Sequence, residues 1–188
     1  RIKNINDESS VTLLADLSPD LLIVLGWTQI LREPALAVPT VGVVGAHASL
    51  LPKNRGRAPV NWSIIRGERV TGNTLMWLSA GVDSGDIIAQ RSFAIEAFDT
   101  CGTVYDKVAV SNQEMVLQLL ADLEAGVRPG RPQEHSDAPL LPGRKPADGA
   151  IDWNQPASSV YDLIRGVTRP YPGAFSHLDT ERILIWHS

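Results

Sequence analysis

Val41-Gly42-Val43-Val44-Gly45-Ala46-His47-Ala48-Ser49-Leu50-Leu51-Pro52-Lys53-Asn54-Arg55-Gly56-Arg57-Ala58-Pro59 holds an apolar run, a histidine, a basic loop and a helix start in one continuous stretch. Val41 to Ala46 reads as a strand buried on both faces, which needs an unbroken apolar run rather than alternation. The strand delivers His47 at its C-terminal end, and in open α/β sheets ligands sit outside that end. Leu51 to Pro59, with its prolines, a glycine and Lys53, Arg55 and Arg57, reads as a basic loop. Ala58-Pro59 then opens a helix through Trp62, Ile64 and Ile65, with proline in the first turn, where its missing N–H costs nothing. Gly67 closes it.

Upstream, Ser9 or Ser10 can cap a short helix through Val11, Leu13, Leu14 and Leu17 that Pro19 ends. Leu21 to Leu25 is a second apolar run, read as a strand buried on both faces and broken by Gly26. Trp27 beyond it reads as a core residue rather than one that stacks on a flat ligand ring. Downstream, Asn73–Ser79 and Ile87–Phe93 read as two strands around the turn Gly81-Val82-Asp83-Ser84-Gly85-Asp86. Thr103 is the expected cap of a long helix whose Val104, Val108, Met115, Leu119 and Leu123 share one face, and Gly126 ends it. The pattern predicts an α/β domain over residues 1–126. A proline- and glycine-bearing linker wrapped on the surface follows over 127–150, and a small α+β subdomain over 151–188. In that last unit Ile151 to Trp153 is extended, Pro156 to Val167 helical, and Ala174–Leu178 and Arg182–Trp186 are strand-like.

A chain of 188 residues supports one good core and a small appendage. Its net charge of −4 gives no general attraction to nucleic acid. The single Cys101 excludes an internal disulfide and agrees with a reducing, cytoplasmic setting. No apolar run is long enough to span a bilayer. The chain opens on Arg1 without an initiating methionine, so a preceding segment is expected.

His47 is the first candidate for chemistry. Thirty-six positions later, Asp83 sits in a glycine-flanked turn that can bring a carboxylate to the imidazole. Such a pair favours the protonated ring and fixes its tautomer, as acid/base work near neutrality requires. The plainer reading is a buried histidine satisfied by a backbone carbonyl. Ser49 lacks the Gly-x-Ser-x-Gly elbow of a nucleophile. His135, His177 and His187 have no metal-ligand spacing, so no metal is expected. Asp86 reads as a solvated turn residue, and Cys101 as packing near a helix start. Lys53, Arg55 and Arg57 could hold a diphosphate or form an ordinary solvated loop.

His47-x-Ser49-Leu50-Leu51-Pro52, then Arg55-Gly56-x-x-Pro59, then Thr71-Gly72-x-Thr74, then Gly81-Val82-Asp83-Ser84-Gly85-Asp86-Ile87-Ile88 resembles the 10-formyltetrahydrofolate-dependent formyltransferase family. Within the family the sequence is closest to the sugar N-formyltransferases. Ile151-Asp152-Trp153 and Pro170-Tyr171-Pro172-Gly173-Ala174-Phe175-Ser176 are similar to the stretch leading into its C-terminal unit. The resemblance implies a Rossmann-like, mostly parallel sheet, with roughly fifty to sixty further residues forming a βαβ unit ahead of Arg1. It implies catalytic roles for His47 and Asp83, and folate contacts from Gln29, Ile30, Leu31, Arg57, Ser79, Ala80, Gly81 and Val82.

The implied reaction moves a formyl group from 10-formyltetrahydrofolate to a primary amine on a nucleotide-linked sugar. A transfer-RNA substrate, hydrolysis of the formyl donor, and a non-catalytic folate or nucleotide-sugar binder are the alternatives. The family's mechanism stabilises the tetrahedral oxyanion with the histidine and an asparagine two residues before it. Here Gly45 stands in that place. A lost oxyanion donor typically costs roughly 100- to 1000-fold in rate, so either Asn54, Asn61, Asn73 or a backbone-held water supplies one, or the protein is slow or inactive. Relatives also dimerise, and Ile183-Leu184-Ile185-Trp186 forms an apolar strand suited to a partner.

Overall fold

The computed structural model describes residues 2–134 and 136–188; His135 lies outside the described residues. Helix α1 (Glu8–Asp16) leads into strand β1 (Leu21–Val24), a short helix α2 (Glu33–Leu36), β2 (Gly42–His47) and α3 (Pro59–Ile65). Strands β3 (Val70–Trp77) and β4 (Ile87–Ala94) precede the long helix α4 (Cys101–Glu124). A 3-10 turn at Pro146–Gly149, helix α5 (Ala157–Val167) and the hairpin β5 (Ala174–Leu178) and β6 (Glu181–Ile185) complete the chain.

The α/β class is as the sequence predicts, in a four-stranded sheet ordered β1-β2-β3-β4. Parallel pairing is confined to β1 and β2, while β2–β3 and β3–β4 run antiparallel. The short connection between Trp77 and Ile87 allows only a hairpin, since a parallel crossover takes about a dozen residues or more. Strand β1, paired with β2 alone among the described residues, is half-buried along its whole length rather than fully buried on both faces. Trp27, expected in the core, is 45% exposed.

The period of two in β2 and β3 decides which face carries chemistry. Val44 and Ala46 of β2 and Leu75 and Trp77 of β3 pack on Met115 and Leu119 of α4. The alternate residues Val43, Gly45 and His47, with Thr74 and Met76 opposite them in register or nearby, turn to the other face. One face is thus filled by α4, while on the other Val43 packs on Ala35 and Leu36 of α2 and on Val11 of α1. The buried stripe of α4 runs Cys101, Val104, Val108, Ser111, Met115 and Leu119, a helical period throughout. Its N-cap is Thr100, not Thr103; Thr103 is the N3 member of a reciprocal capping box. The first helix also starts earlier than Ser9 or Ser10, with Asp7 at the N-cap position and no side-chain capping bond.

Asp99, just before that helix, accepts hydrogen bonds from the Glu96 N–H (2.7 Å), Thr103 Oγ1 (2.8 Å) and Lys107 Nζ. Burial opposes its charge, yet these donors outweigh burial and hold its carboxyl below the ordinary carboxylate range. A depressed native pKa contributes stability above the unfolded value near about 3.9, and that stability is lost as pH falls through the native one. Asp99→Asn should therefore cost roughly 2 kcal/mol at pH 7. The gap from the parent should begin to shrink below about pH 4, where the unfolded carboxyl takes its proton, and close only as pH falls through the lower native value. Urea melts at pH 7 and pH 3 check both signs.

The C-terminal unit docks on the sheet domain through α5 against α3. Asn61 Nδ2 donates to the Gly166 carbonyl at 2.6 Å, and Cys101 Sγ to that of Thr168 at 3.1 Å. Burial pushes the Cys101 thiol up to about 11, which makes it a packing residue without thiolate reactivity. The segment between the two units is a strap fastened to the sheet domain. Leu141 exchanges backbone bonds with Arg55 (2.7 Å) and Arg57 (2.9 Å), Arg131 with Ile87, and Trp77 Nε1 donates to Pro129.

Candidate active site

Strand β2 ends on His47, which is 7% exposed. Both nitrogens of its ring face oxygen. Nε2 lies 2.8 Å from the Asn54 carbonyl, and Nδ1 lies 3.5 Å from Asp83 Oδ1. Both oxygens can only accept, and Nε2 alone stands at a normal hydrogen-bond distance, so the neutral ring keeps its proton on Nε2 and the Nδ1 lone pair faces the carboxylate. The two neighbours that the sequence reading weighed for His47, the Asp83 carboxylate and a backbone carbonyl, face opposite ring nitrogens. Asp83 reaches the ring from a left-handed turn position (φ +48°), where aspartate is tolerated better than most residues. Its second oxygen accepts from the Gly56 N–H at 2.9 Å, which ties the Asp83 turn to the basic loop.

The other expected residues are less gathered. Gln29 accepts from the Ile5 N–H (2.9 Å) and donates to the Lys3 carbonyl (2.7 Å), so its side chain fastens the N-terminal segment. Leu31 is buried with Ile5, Ala35 and Val43, whereas Ile30 is 60% exposed. Ser79, Ala80, Gly81 and Val82 form an exposed run, and Arg57 is exposed in the basic loop. Lys53 pairs with Glu68 at 3.3 Å, and Arg55 donates to the Ser136 carbonyl at 2.7 Å. Ser49 gives its hydroxyl to the Lys53 carbonyl and is no nucleophile in this arrangement. Among the described residues no group of three or more His, Cys, Asp or Glu could hold a metal ion.

Residues 2–120 match the family model described as Formyl transferase, well over half of the chain. The chain belongs to the formyl transferase family. Residues 144–188 match the model described as Formyl transferase, C-terminal domain. Among solved structures, HypX from Aquifex aeolicus in complex with tetrahydrofolic acid is similar at 25% identity and a TM-score of 0.81, over 94% of this chain and 31% of HypX. The chain therefore spans about a third of that relative. A sugar N-formyltransferase from Shewanella aligns at 23% identity and a TM-score of 0.77, over 97% of this chain and 74% of its own. WlaRD, a sugar 3N-formyl transferase solved in the presence of dTDP and 5-N-formyl-THF, aligns at 20% identity and a TM-score of 0.69, over 81% and 57%.

Within this family frame, Gly45 gains a neighbour that the sequence did not reveal. A Cβ at position 45 would lie 2.6 Å from Leu78 Cδ2 and 3.0 Å from its Cγ. Leu78 packs there against the Val43 cluster, so the space for an asparagine side chain is filled from the start of the Asp83 turn. The three asparagines considered as substitute donors are committed elsewhere. Asn54 Nδ2 donates to Glu68 and Ser63, Asn61 Nδ2 to Gly166, and Asn73 Nδ2 to Ser111 and Asn112 on the α4 face. Gly45→Asn should accordingly bring no gain in transfer and cost about 1–2 kcal/mol as Leu78 is pushed out. A tenfold or greater gain in turnover would show instead that the protein lacks a donor the new amide supplies.

Sequence reasoning also missed Gln133. Its Nε2 donates to the Asp83 carbonyl (3.0 Å) and the Gly85 carbonyl (2.7 Å), so the strap holds the turn that carries Asp83. No periodicity marks such a residue; the only signal was a lone amide between prolines in a segment otherwise read as linker.

Proposed function

We propose that the protein transfers a formyl group from 10-formyltetrahydrofolate to the primary amine of an amino sugar carried on a nucleotide. The observation that carries this reading is the His47–Asp83 pair at the end of β2, inside a chain matched by the family model. The amine nitrogen attacks the formyl carbon, the carbonyl oxygen becomes an oxyanion, and the bond to N10 breaks. The amine gives up one proton and N10 takes one. His47, held with Nε2–H on Asn54, has Nδ1 to receive a proton, and Asp83 stabilises the resulting cation. Asp83 is itself anchored by the Gly56 N–H, so the carboxylate is oriented before substrate arrives.

Exposed apolar groups at Ile30 and Val82, with the exposed Arg57, fit the flat ring and the anionic tail of a folate. For the nucleotide, a crevice between the two units is lined by Asn61, Arg144, Lys145, Tyr171 and Pro172. Asn61 is fully buried there and its Oδ1 has no partner, so it suits a ligand N–H, while Arg144 and Lys145 suit phosphate. The sugar reading also agrees with the acidic net charge, since transfer-RNA binding rests on neutralising phosphates. No helix among the described residues is long and apolar enough to cross a membrane.

A product assay decides the reading: incubation with 10-formyltetrahydrofolate and amino-sugar nucleotides should yield the formamide. Free formate would make the protein a hydrolase, and neither product would leave a binder. We take the working unit to be a homodimer, supported by Ile183 and Leu184, 43% and 45% exposed on a two-stranded hairpin. A monomeric mass by light scattering would contradict it.

A further inference from the structure

The Nε2 side of His47 has its own support. Asn54, whose carbonyl meets Nε2, is a non-glycine residue at φ +58°. That conformation is uphill by about 1 kcal/mol for an L-residue and is least costly for asparagine and aspartate. The Asn54 side chain is itself anchored. Its Nδ2 lies 3.2 Å from Glu68 Oε1, 3.3 Å from Oε2 and 3.3 Å from Ser63 Oγ. Ser63 is fully buried and contacts Thr71 at 3.4 Å.

Glu68 is in turn fixed from both ends. Its N–H donates to the Ser63 carbonyl at 2.9 Å, and Lys53 Nζ stands 3.3 Å from its carboxylate. The Glu68 side chain is only 16% exposed, an uncommon place for a carboxylate without a task. Arg66 also approaches Asn54 Oδ1, at 3.5 Å. Half-buried carboxylate, left-handed asparagine, backbone carbonyl and imidazole form one chain of contacts.

We propose that Glu68 is a positioning residue for His47, acting through Asn54. Its carboxylate holds Asn54 in the left-handed conformation that aims the Asn54 carbonyl at Nε2. The carbonyl fixes the proton on Nε2 and so turns the Nδ1 lone pair to Asp83, the place where a transferred proton meets a counter-charge. Released from Glu68, the loop can relax out of the left-handed position, the carbonyl leaves Nε2, and the ring samples both tautomers. The proposal rests on the reading of His47 as the acid/base of the transfer, but it makes a statement about the ring that can be read without turnover.

The test is the 15N spectrum of the His47 imidazole in the full chain, alongside kinetics. In the parent the neutral ring should show the Nε2–H tautomer alone, and in Glu68→Ala the two ring nitrogens should average toward a mixture. The kcat should fall about tenfold while KM for the formyl donor stays within about twofold, as expected when orientation and not binding is lost. Asn54→Gly keeps the carbonyl and removes the side chain through which Glu68 acts. In that background Glu68→Ala should cost less than about twofold. An unchanged tautomer in Glu68→Ala overturns the proposal, as does an undiminished loss in the Asn54→Gly background. Should Glu68→Ala not fold, Glu68→Gln keeps one acceptor oxygen and loses the charge. It should shift the tautomer in the same direction by less, and no shift there overturns the proposal equally. If His47→Asn proves fully active, the catalytic reading fails while the tautomer measurement still judges Glu68.

Discussion

His47→Asn should lower formyl transfer by roughly 100-fold or more while leaving the fold intact. Asparagine is smaller than the imidazole and polar, and it can donate to the Asn54 carbonyl or to Asp83. It cannot reach both oxygens as the ring does, with Nε2 at 2.8 Å and Nδ1 at 3.5 Å. Nor can it take up and release a proton. Thermal melting should change little, because β2 pairs with β1 and β3 through its backbone. Asp83→Asn should cut transfer comparably, since asparagine tolerates the left-handed φ of +48° but offers no charge to an imidazolium. The pH–rate profile should move in that variant. Activity within a few-fold of the parent for His47→Asn, or an unmoved profile for Asp83→Asn, would sink the assigned chemistry.

Gly85→Ala should be the most disruptive single methyl in the molecule. A Cβ on residue 85 would stand 1.7 Å from the Trp77 carbonyl oxygen and 2.9 Å from its carbon, both backbone atoms at the end of β3. No rotamer change relieves a contact with backbone, so the hairpin has to open. Opening breaks the Trp77 N–H bond to the Asp86 carbonyl (2.9 Å) and the Gln133 bond to the Gly85 carbonyl (2.7 Å). Asp83 sits within that turn, so transfer should fall about as far as in Asp83→Asn. Stability should drop by about 3 kcal/mol or more, measured by urea denaturation. Ser84→Ala, one residue away and exposed, should leave both nearly unchanged. A Gly85→Ala protein with parent-like stability and rate would show that the turn does not position Asp83.

Local pattern determined much of this protein. The apolar run before His47, the proline at the start of α3, the apolar face of α4 and the glycine-flanked Asp83 are written in neighbouring residues, because strand, helix and turn preferences act over a few residues. Pairing direction and burial are different in kind. Leu21 to Val24 carries the run of a doubly covered strand, yet only β2 pairs with it among the described residues, and nothing within four residues can report how many neighbours a strand finds. Trp27 is apolar in sequence and half out of the core in space for the same reason.

The site divides along that line. The nearness of His47 and Asp83 was legible partly from a titratable ring at a strand end with a carboxylate in a glycine-flanked turn, and partly from the family resemblance. That Leu78 fills the space beside Gly45, that Gln133 on the strap grips the Asp83 turn, and that the Asn54 carbonyl faces Nε2 came only with the tertiary structure. Each is a contact between side chain and backbone brought together by folding of separate segments. Residue identity sets what such a group can donate, accept or fill, and the packing of the whole chain decides what it meets.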